Sequence, residues 1–149
     1  MAKNIQEGAD FPDFSLSDKD GKVWAKAGFL GQKTVLYFYP KDNTPGCTRE
    51  GHDFSNLLPE FEKNNINLAG LSTDSPKSHS NFCAKQGYNH LLLSDQEKKL
   101  STSLGILNPT GSSKRTTYLL DKDGKIIKIW TEVSVTGHAI EVLQTAKAS

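Results

Sequence analysis

Cysteine is scarce in this chain. Cys47 and Cys83 are the only two in 149 residues, too few to staple a disulfide scaffold and unneeded for one at this length. No charge of one sign dominates either: 18 Lys and Arg face 17 Asp and Glu, for a net charge of +1, which leaves no electrostatic footprint for nucleic acid or an anionic membrane. Long apolar runs are missing. The longest, Val35 to Tyr39, is five residues, against the ~18 of a membrane span. The first eight residues, Met1 to Gly8, lack the apolar stretch of roughly 7 to 15 residues that marks a secretory signal, so a cytoplasmic address is expected. Nothing is rich enough in proline, glycine or serine to read as a linker, and a single domain over residues 1–149 is the expectation.

The string Asp-Lys-Asp-Gly-Lys occurs twice, at 18–22 and 121–125, each time between apolar stretches. Hairpins turned by Asp-Gly account for this. A calcium loop would need further acidic positions and a Glu at its twelfth place, which neither copy supplies. The run Lys33 to Tyr39 is β-branched and aromatic and suits a strand buried on both faces. Phe54, Leu57, Leu58 and Phe61 follow at helical spacing, and Asn67 to Ser72 reads as a second buried strand. Ser75-Pro76 opens a helix expected to reach Gln86 and stop at Gly87. Ser94 with Glu97 has the form of a capping box for a helix from about Asp95 to Leu104. A hairpin over 116–130 and a last helix from about Thr136 to Ala146, burying Ala139, Ile140, Leu143 and Ala146, complete the chain. This order predicts an α/β thioredoxin-like fold: a mixed central sheet flanked by helices, with an extra N-terminal β-hairpin.

The stretch from Pro40 to Glu50 carries the chemistry. Thr44 before Pro45 reads as a helix N-cap with proline at the first helical position, which puts Cys47 in the first turn. Unpaired backbone N–H groups and the positive end of the helix dipole favour a thiolate there, and the thiolate is the nucleophilic form. The other reading of Cys47 is a small buried hydrophobe.

Pro40-x-x-x-Thr44-x-x-Cys47, with Glu50 three residues on, resembles the active-site signature of the peroxiredoxins. Tyr37-Phe38-Tyr39-Pro40-Lys41-Asp42-Asn43-Thr44-Pro45-Gly46-Cys47-Thr48 is similar to the bacterioferritin comigratory protein, or peroxiredoxin Q, subfamily. The likeness extends through Gly8 to Phe14, Leu71 to Asp74, Leu92 to Asp95 and Arg115 to Asp121. It implies reduction of hydrogen peroxide and organic hydroperoxides by a peroxidatic Cys47, with no metal, haem or flavin cofactor. It also implies that Thr44 and Arg115 hold the peroxide oxygens and the thiolate, and that Pro40 shields the sulfur from water. Read without that likeness, Arg115 is a solvated member of the pair Lys114-Arg115 and Pro40 a strand terminator. Glu50 is a supporting residue that pairs with Arg49 or Arg115, or faces solvent.

Many similar proteins carry a second cysteine five residues after the first; here that position is His52. The resemblance extends to members whose resolving cysteine lies on the helix expected over 76–86, which assigns that role to Cys83. Its alternative is a core thiol beside Phe82. A disulfide needs Cα atoms within about 7 Å; if both helices persist and hold the thiols farther apart than that, partial unwinding of the Cys47 helix, the Cys83 helix or both is part of each turnover. The implied partners are a peroxide and a thioredoxin or glutaredoxin-type dithiol, and a monomer suffices for an intramolecular disulfide. Two readings from other classes remain open: a zinc module built on Cys47, His52, His79 and Cys83, and a thioredoxin-like interaction protein without catalysis.

Overall fold

The computed structural model describes residues 5–149; the first four positions of the expected 1–149 unit lie outside the described residues. Two short strands come first, β1 (Ser15–Asp18) and β2 (Val23–Ala25), followed by a 3-10 turn at Lys26–Phe29. Then follow β3 (Lys33–Phe38), α1 (Pro45–Lys63), β4 (Ile66–Ser72), α2 (Pro76–Gln86) and β5 (Leu91–Ser94). The chain ends with α3 (Lys99–Ser103), β6 (Thr116–Leu120), β7 (Ile126–Trp130) and α4 (His138–Ala148). The seven strands form one mixed sheet in the order β2-β1-β5-β4-β3-β6-β7. β3, β4 and β5 are parallel, and the hairpins at either end are antiparallel.

Alternation along β3 decides what each face of the sheet buries. Val35, Tyr37 and the following Tyr39 join the core under α1, α2 and α4. Leu36 and Phe38 point the other way, into a core closed by the N-terminal hairpin, the 3-10 turn and α3. Both repeated pentapeptides act as hairpin turns. Asp18 Oδ1 accepts from the amides of Asp20 and Lys22, and Asp121 Oδ1 from those of Asp123 and Lys125. Gly21 and Gly124 supply the left-handed conformation, at φ 81° and 83°, that the turn requires.

Three expectations need correction. Ser94 and Glu97 do not cap a helix from Asp95. Ser94 ends a strand, β5, and its hydroxyl donates to the Asp74 carbonyl. The helix is only Lys99–Ser103, and the buried Asp95 carboxylate holds its start by accepting from the amides of Leu100 and Ser101, at 3.2 and 2.8 Å. β5 was not foreseen as a strand, yet it joins the N-terminal hairpin to the sheet, with Ser17 opposite Ser94 and Asp18 opposite Leu93. The last helix starts two residues later than expected, behind Gly137 at φ 77°. Its inward face is Ala139, Val142, Leu143 and Ala146, and Ile140 is exposed. Helical spacing of three and four from Ala139 selects Val142 and turns Ile140 away. Among the described residues no helix is long and apolar enough to cross a membrane.

Candidate active site

Cys47 lies in the first turn of α1, behind Thr44 as N-cap residue and Pro45 at the first helical position. Cys47 as a residue is almost fully buried. One Nη of Arg115 donates to Cys47 Sγ at 3.3 Å, and the other donates to Glu50 Oε1 at 2.5 Å. Arg115 stands just before β6, next to β3 in the sheet, so its side chain reaches α1 from a different part of the chain. Gly46 makes room for it: a Cβ there would lie 3.3 Å from Arg115 Nη2. The guanidinium fork thus spans sulfur and carboxylate with its two terminal nitrogens, which a lysine cannot do.

Glu50 is buried, 1% exposed. Burial pushes its carboxyl up to about 7, against the opposing charge and hydrogen bond of Arg115. Its Oε2 has no hydrogen-bond partner among the described residues. Of the three readings of Glu50, the structure selects pairing with Arg115.

Thr44 departs from the expected picture in one respect. Its side chain makes no cap bond to the helix, and its hydroxyl donates to the Lys41 carbonyl at 2.8 Å. The proton is committed to the loop, so the oxygen offers lone pairs. Pro40 is half-buried at the end of β3, where the chain bends toward α1.

The loop between β3 and α1 is held from below by a buried polar network that sequence reasoning missed. The Asp42 carboxylate accepts from Tyr39 (2.7 Å), Ser78 (2.7 Å) and His79 Nδ1 (2.9 Å), while the Asp42 amide donates to Asp74 Oδ2 (2.9 Å). Burial works against an ionised Asp42, but these donors outweigh it and hold the carboxyl below its ordinary range. The other ring nitrogen of His79 faces the Leu93 carbonyl at 3.0 Å. Contacts between residues 37 positions apart leave no local signal in the sequence.

Cys83 sits in the last turn of α2, buried among apolar side chains, and burial pushes its thiol up. Both cysteines are free. His52 meets Gln86 Oε1 at 2.9 Å, and His79 is spent on Asp42 and Leu93. The four residues of the zinc reading are therefore not gathered, and no cluster of three or more metal-ligating side chains occurs among the described residues.

Residues 8–129 match the AhpC/TSA family. The chain belongs to that family. It is 43% identical to peroxiredoxin Bcp of Xanthomonas campestris over 143 residues, covering 91% of this chain and 89% of the relative. A solved structure of Xanthomonas campestris peroxiredoxin Q superimposes with a TM-score of 0.86 at 42% identity, over 91% of this chain and 90% of that one. A mutant of Xylella fastidiosa PrxQ gives 0.92 at 36% identity, over 99% and 98%. These likenesses bear out the peroxiredoxin resemblance and the mixed α/β thioredoxin-like fold, and as a peroxiredoxin the chain is a thiol peroxidase.

Proposed function

We propose that Cys47 is the peroxidatic thiol, that Thr44, Arg115 and Pro40 form its pocket with Glu50 in support, and that Cys83 resolves the oxidised sulfur. One observation carries this reading: the Arg115 fork donates to Cys47 Sγ and to Glu50 together. The Cys47 thiolate attacks the hydroxyl-bearing oxygen of a hydroperoxide, the O–O bond breaks, and the leaving oxygen takes a proton and departs as water or an alcohol. Negative charge spreads along the sulfur–oxygen–oxygen axis. The Arg115 fork and the Cys47 amide supply donors along that axis, the preorganised electrostatic stabilisation that such a step needs. Thr44 Oγ1, its own proton on Lys41, accepts from the hydroperoxide O–H and turns that oxygen toward the sulfur. Pro40 covers the thiolate from bulk water.

The Cys47 sulfenic acid then condenses with the Cys83 thiol to a disulfide and water. A thioredoxin or glutaredoxin-type dithiol reopens the disulfide by exchange. Hydrogen peroxide and organic hydroperoxides are the substrate class. A monomer suffices, since both thiols lie on one chain, and the cycle suits a reducing compartment such as the cytoplasm. The test is peptide mapping without reductant after one equivalent of peroxide, beside two variants. Cys47→Ser abolishes turnover, and Cys83→Ser keeps one stoichiometric oxidation. A Cys47→Ser protein that still consumes peroxide overturns the assignment. Sulfenic and sulfinic Cys47 with Cys83 still open to alkylation overturns the resolving role and makes the protein a one-cysteine peroxidase resolved by an external thiol.

A further inference from the structure

α1 is tied to the end of α2 and the segment after it at successive turns, none of which the peroxidatic chemistry uses. The Tyr88 hydroxyl donates to the Thr48 carbonyl at 2.7 Å. His52 Nε2 and Gln86 Oε1 are 2.9 Å apart, and the Asn89 amide donates to Ser55 Oγ at 3.0 Å. The Tyr88 ring fills the place of a side chain at position 51. A Cβ on Gly51 would stand 2.4 Å from its Cζ and Oη. Edge-on contacts with Phe82 (5.0 Å) and His52 (5.2 Å) fix the ring between the two helices.

The backbone of Tyr88 is equally placed. Its amide and that of Gly87, the left-handed cap at φ 70°, both donate to the Cys83 carbonyl, at 3.2 and 2.8 Å. One residue therefore holds the carbonyl of Cys83 with its main chain and the carbonyl next to Cys47 with its side chain. The first turns of α1 contain Pro45, Gly46 and Gly51, and glycines are poor helix formers. That segment owes its order to what packs on it more than to its own propensity.

We propose that Tyr88, helped by the His52–Gln86 pair, is a positioning residue for resolution: it couples the opening of α1 around Cys47 to the opening of the last turn of α2 around Cys83. The proposal rests on the reading that Cys83 resolves Cys47. In this coupling Cys83 leaves its turn as the sulfenic acid loses its hydroxyl as water and the Cys83 thiol gives up its proton and forms the S–S bond. Breaking that turn displaces the Gly87 and Tyr88 amides, and the shift of Tyr88 withdraws the hydroxyl from Thr48. With the latch closed, the sulfenic acid waits in its pocket, and a second peroxide can carry it to sulfinic acid.

The test is rapid-quench alkylation with mass spectrometry of the full chain, which separates oxidation of Cys47 from disulfide formation. Tyr88→Phe keeps the ring and removes the bond to Thr48. Disulfide formation is expected to quicken about fivefold, the weight of one such hydrogen bond, with a matching fall in sulfinic acid at a given peroxide excess. The first oxidation stays within about twofold, because Tyr88 donates nothing to the sulfur. His52→Leu shifts the partition in the same direction by less. Amide exchange over 47–55 and 83–88 quickens together in Tyr88→Phe. Unchanged or slower resolution in both variants, or faster exchange in one segment alone, overturns the proposal. A parent that never forms the Cys47–Cys83 disulfide overturns instead the reading beneath it.

Discussion

The two faces of this sheet differ in how they use their buried polar groups. On the α1 side, polar side chains enter the core and pair there: Tyr37 with His90 at 2.6 Å, Tyr39 with Asp42, His138 with Thr117 at 2.8 Å, and the half-buried Arg115 with Glu50 and Cys47; Glu50 Oε2 and His90 Nδ1 are left without partners among the described residues. On the hairpin side the apolar cluster is Phe, Leu, Ile and Ala with Tyr118, and the buried polar groups beside it serve α3: Asp95 accepts from the amides of Leu100 and Ser101, and Ser101 meets Ser113 at 2.7 Å. The contrast follows from what burial demands. A buried polar group must be met by a specific partner at a specific distance, whereas an apolar group needs only a filled volume. One face is fixed by directional bonds and can hold a reactive sulfur in register. The other is held mainly by filled apolar volume and tolerates exchange among apolar residues of similar size.

The sharpest way to break this division is Phe38→Ala, on the hairpin face. Phe38 is fully buried, with its ring edge-on to Tyr118 at 5.7 Å. Removing it costs ~3–5 kcal/mol in urea unfolding, while the folded fraction still oxidises at Cys47 within about twofold of the parent rate. A tenfold fall in that rate would mean that the two faces are mechanically one.

His90, on the α1 side, makes part of the stability depend on pH. Burial lowers its imidazole from 6.5 to about 4, so it is held neutral beside Tyr37, and its Nδ1 has no partner among the described residues. A histidine depressed in the folded state contributes stability above pH ~6.5 that is lost as pH falls toward 4, because the unfolded chain takes up the proton first. That contribution is ~3 kcal/mol at 1.36 kcal/mol per unit. His90→Gln should remove that part of the acid slope in unfolding experiments between pH ~4 and ~7, and an unchanged slope would show that His90 is not the group responsible.

Arg115→Lys keeps the charge and loses the fork. The rate of Cys47 oxidation should fall at least about tenfold, or ~1.4 kcal/mol, with thermal stability nearly unchanged. A rate within a factor of two would return Arg115 to a bystander role.

The smallest effect belongs to Glu50. Burial pushes its carboxyl up to about 7, so as pH falls it takes up a proton and its grip on Arg115 weakens. The ratio of parent to Glu50→Gln oxidation rates should rise from ~1 near pH ~5.5 to a few-fold near pH ~8.5, as the carboxylate forms and orders the fork. A ratio flat across that range would separate Glu50 from catalysis.

What local sequence could determine here was set by local physics. β-Branched and aromatic density marked β3, Ser75-Pro76 and Gly87 marked both ends of α2, the paired Asp-Lys-Asp-Gly-Lys strings marked the two hairpins, and Thr44-Pro45 placed Cys47 in a helix's first turn. Ser94 shows the limit: with Glu97 it has the spacing of a capping box, but its place beside β1 and β4 makes it the end of a strand, and Asp95 caps the short helix instead. Glu50 could be read three ways until the fold brought Arg115 to it across 65 positions. Asp42 with His79, His52 with Gln86 and Tyr88 with Thr48 are likewise pairs separated by 34 to 40 positions. Spacing rules reach only as far as one helix turn or one strand pair. Which donor meets a buried acceptor is decided by how the sheet orders its strands, and that order exists only once the chain has folded.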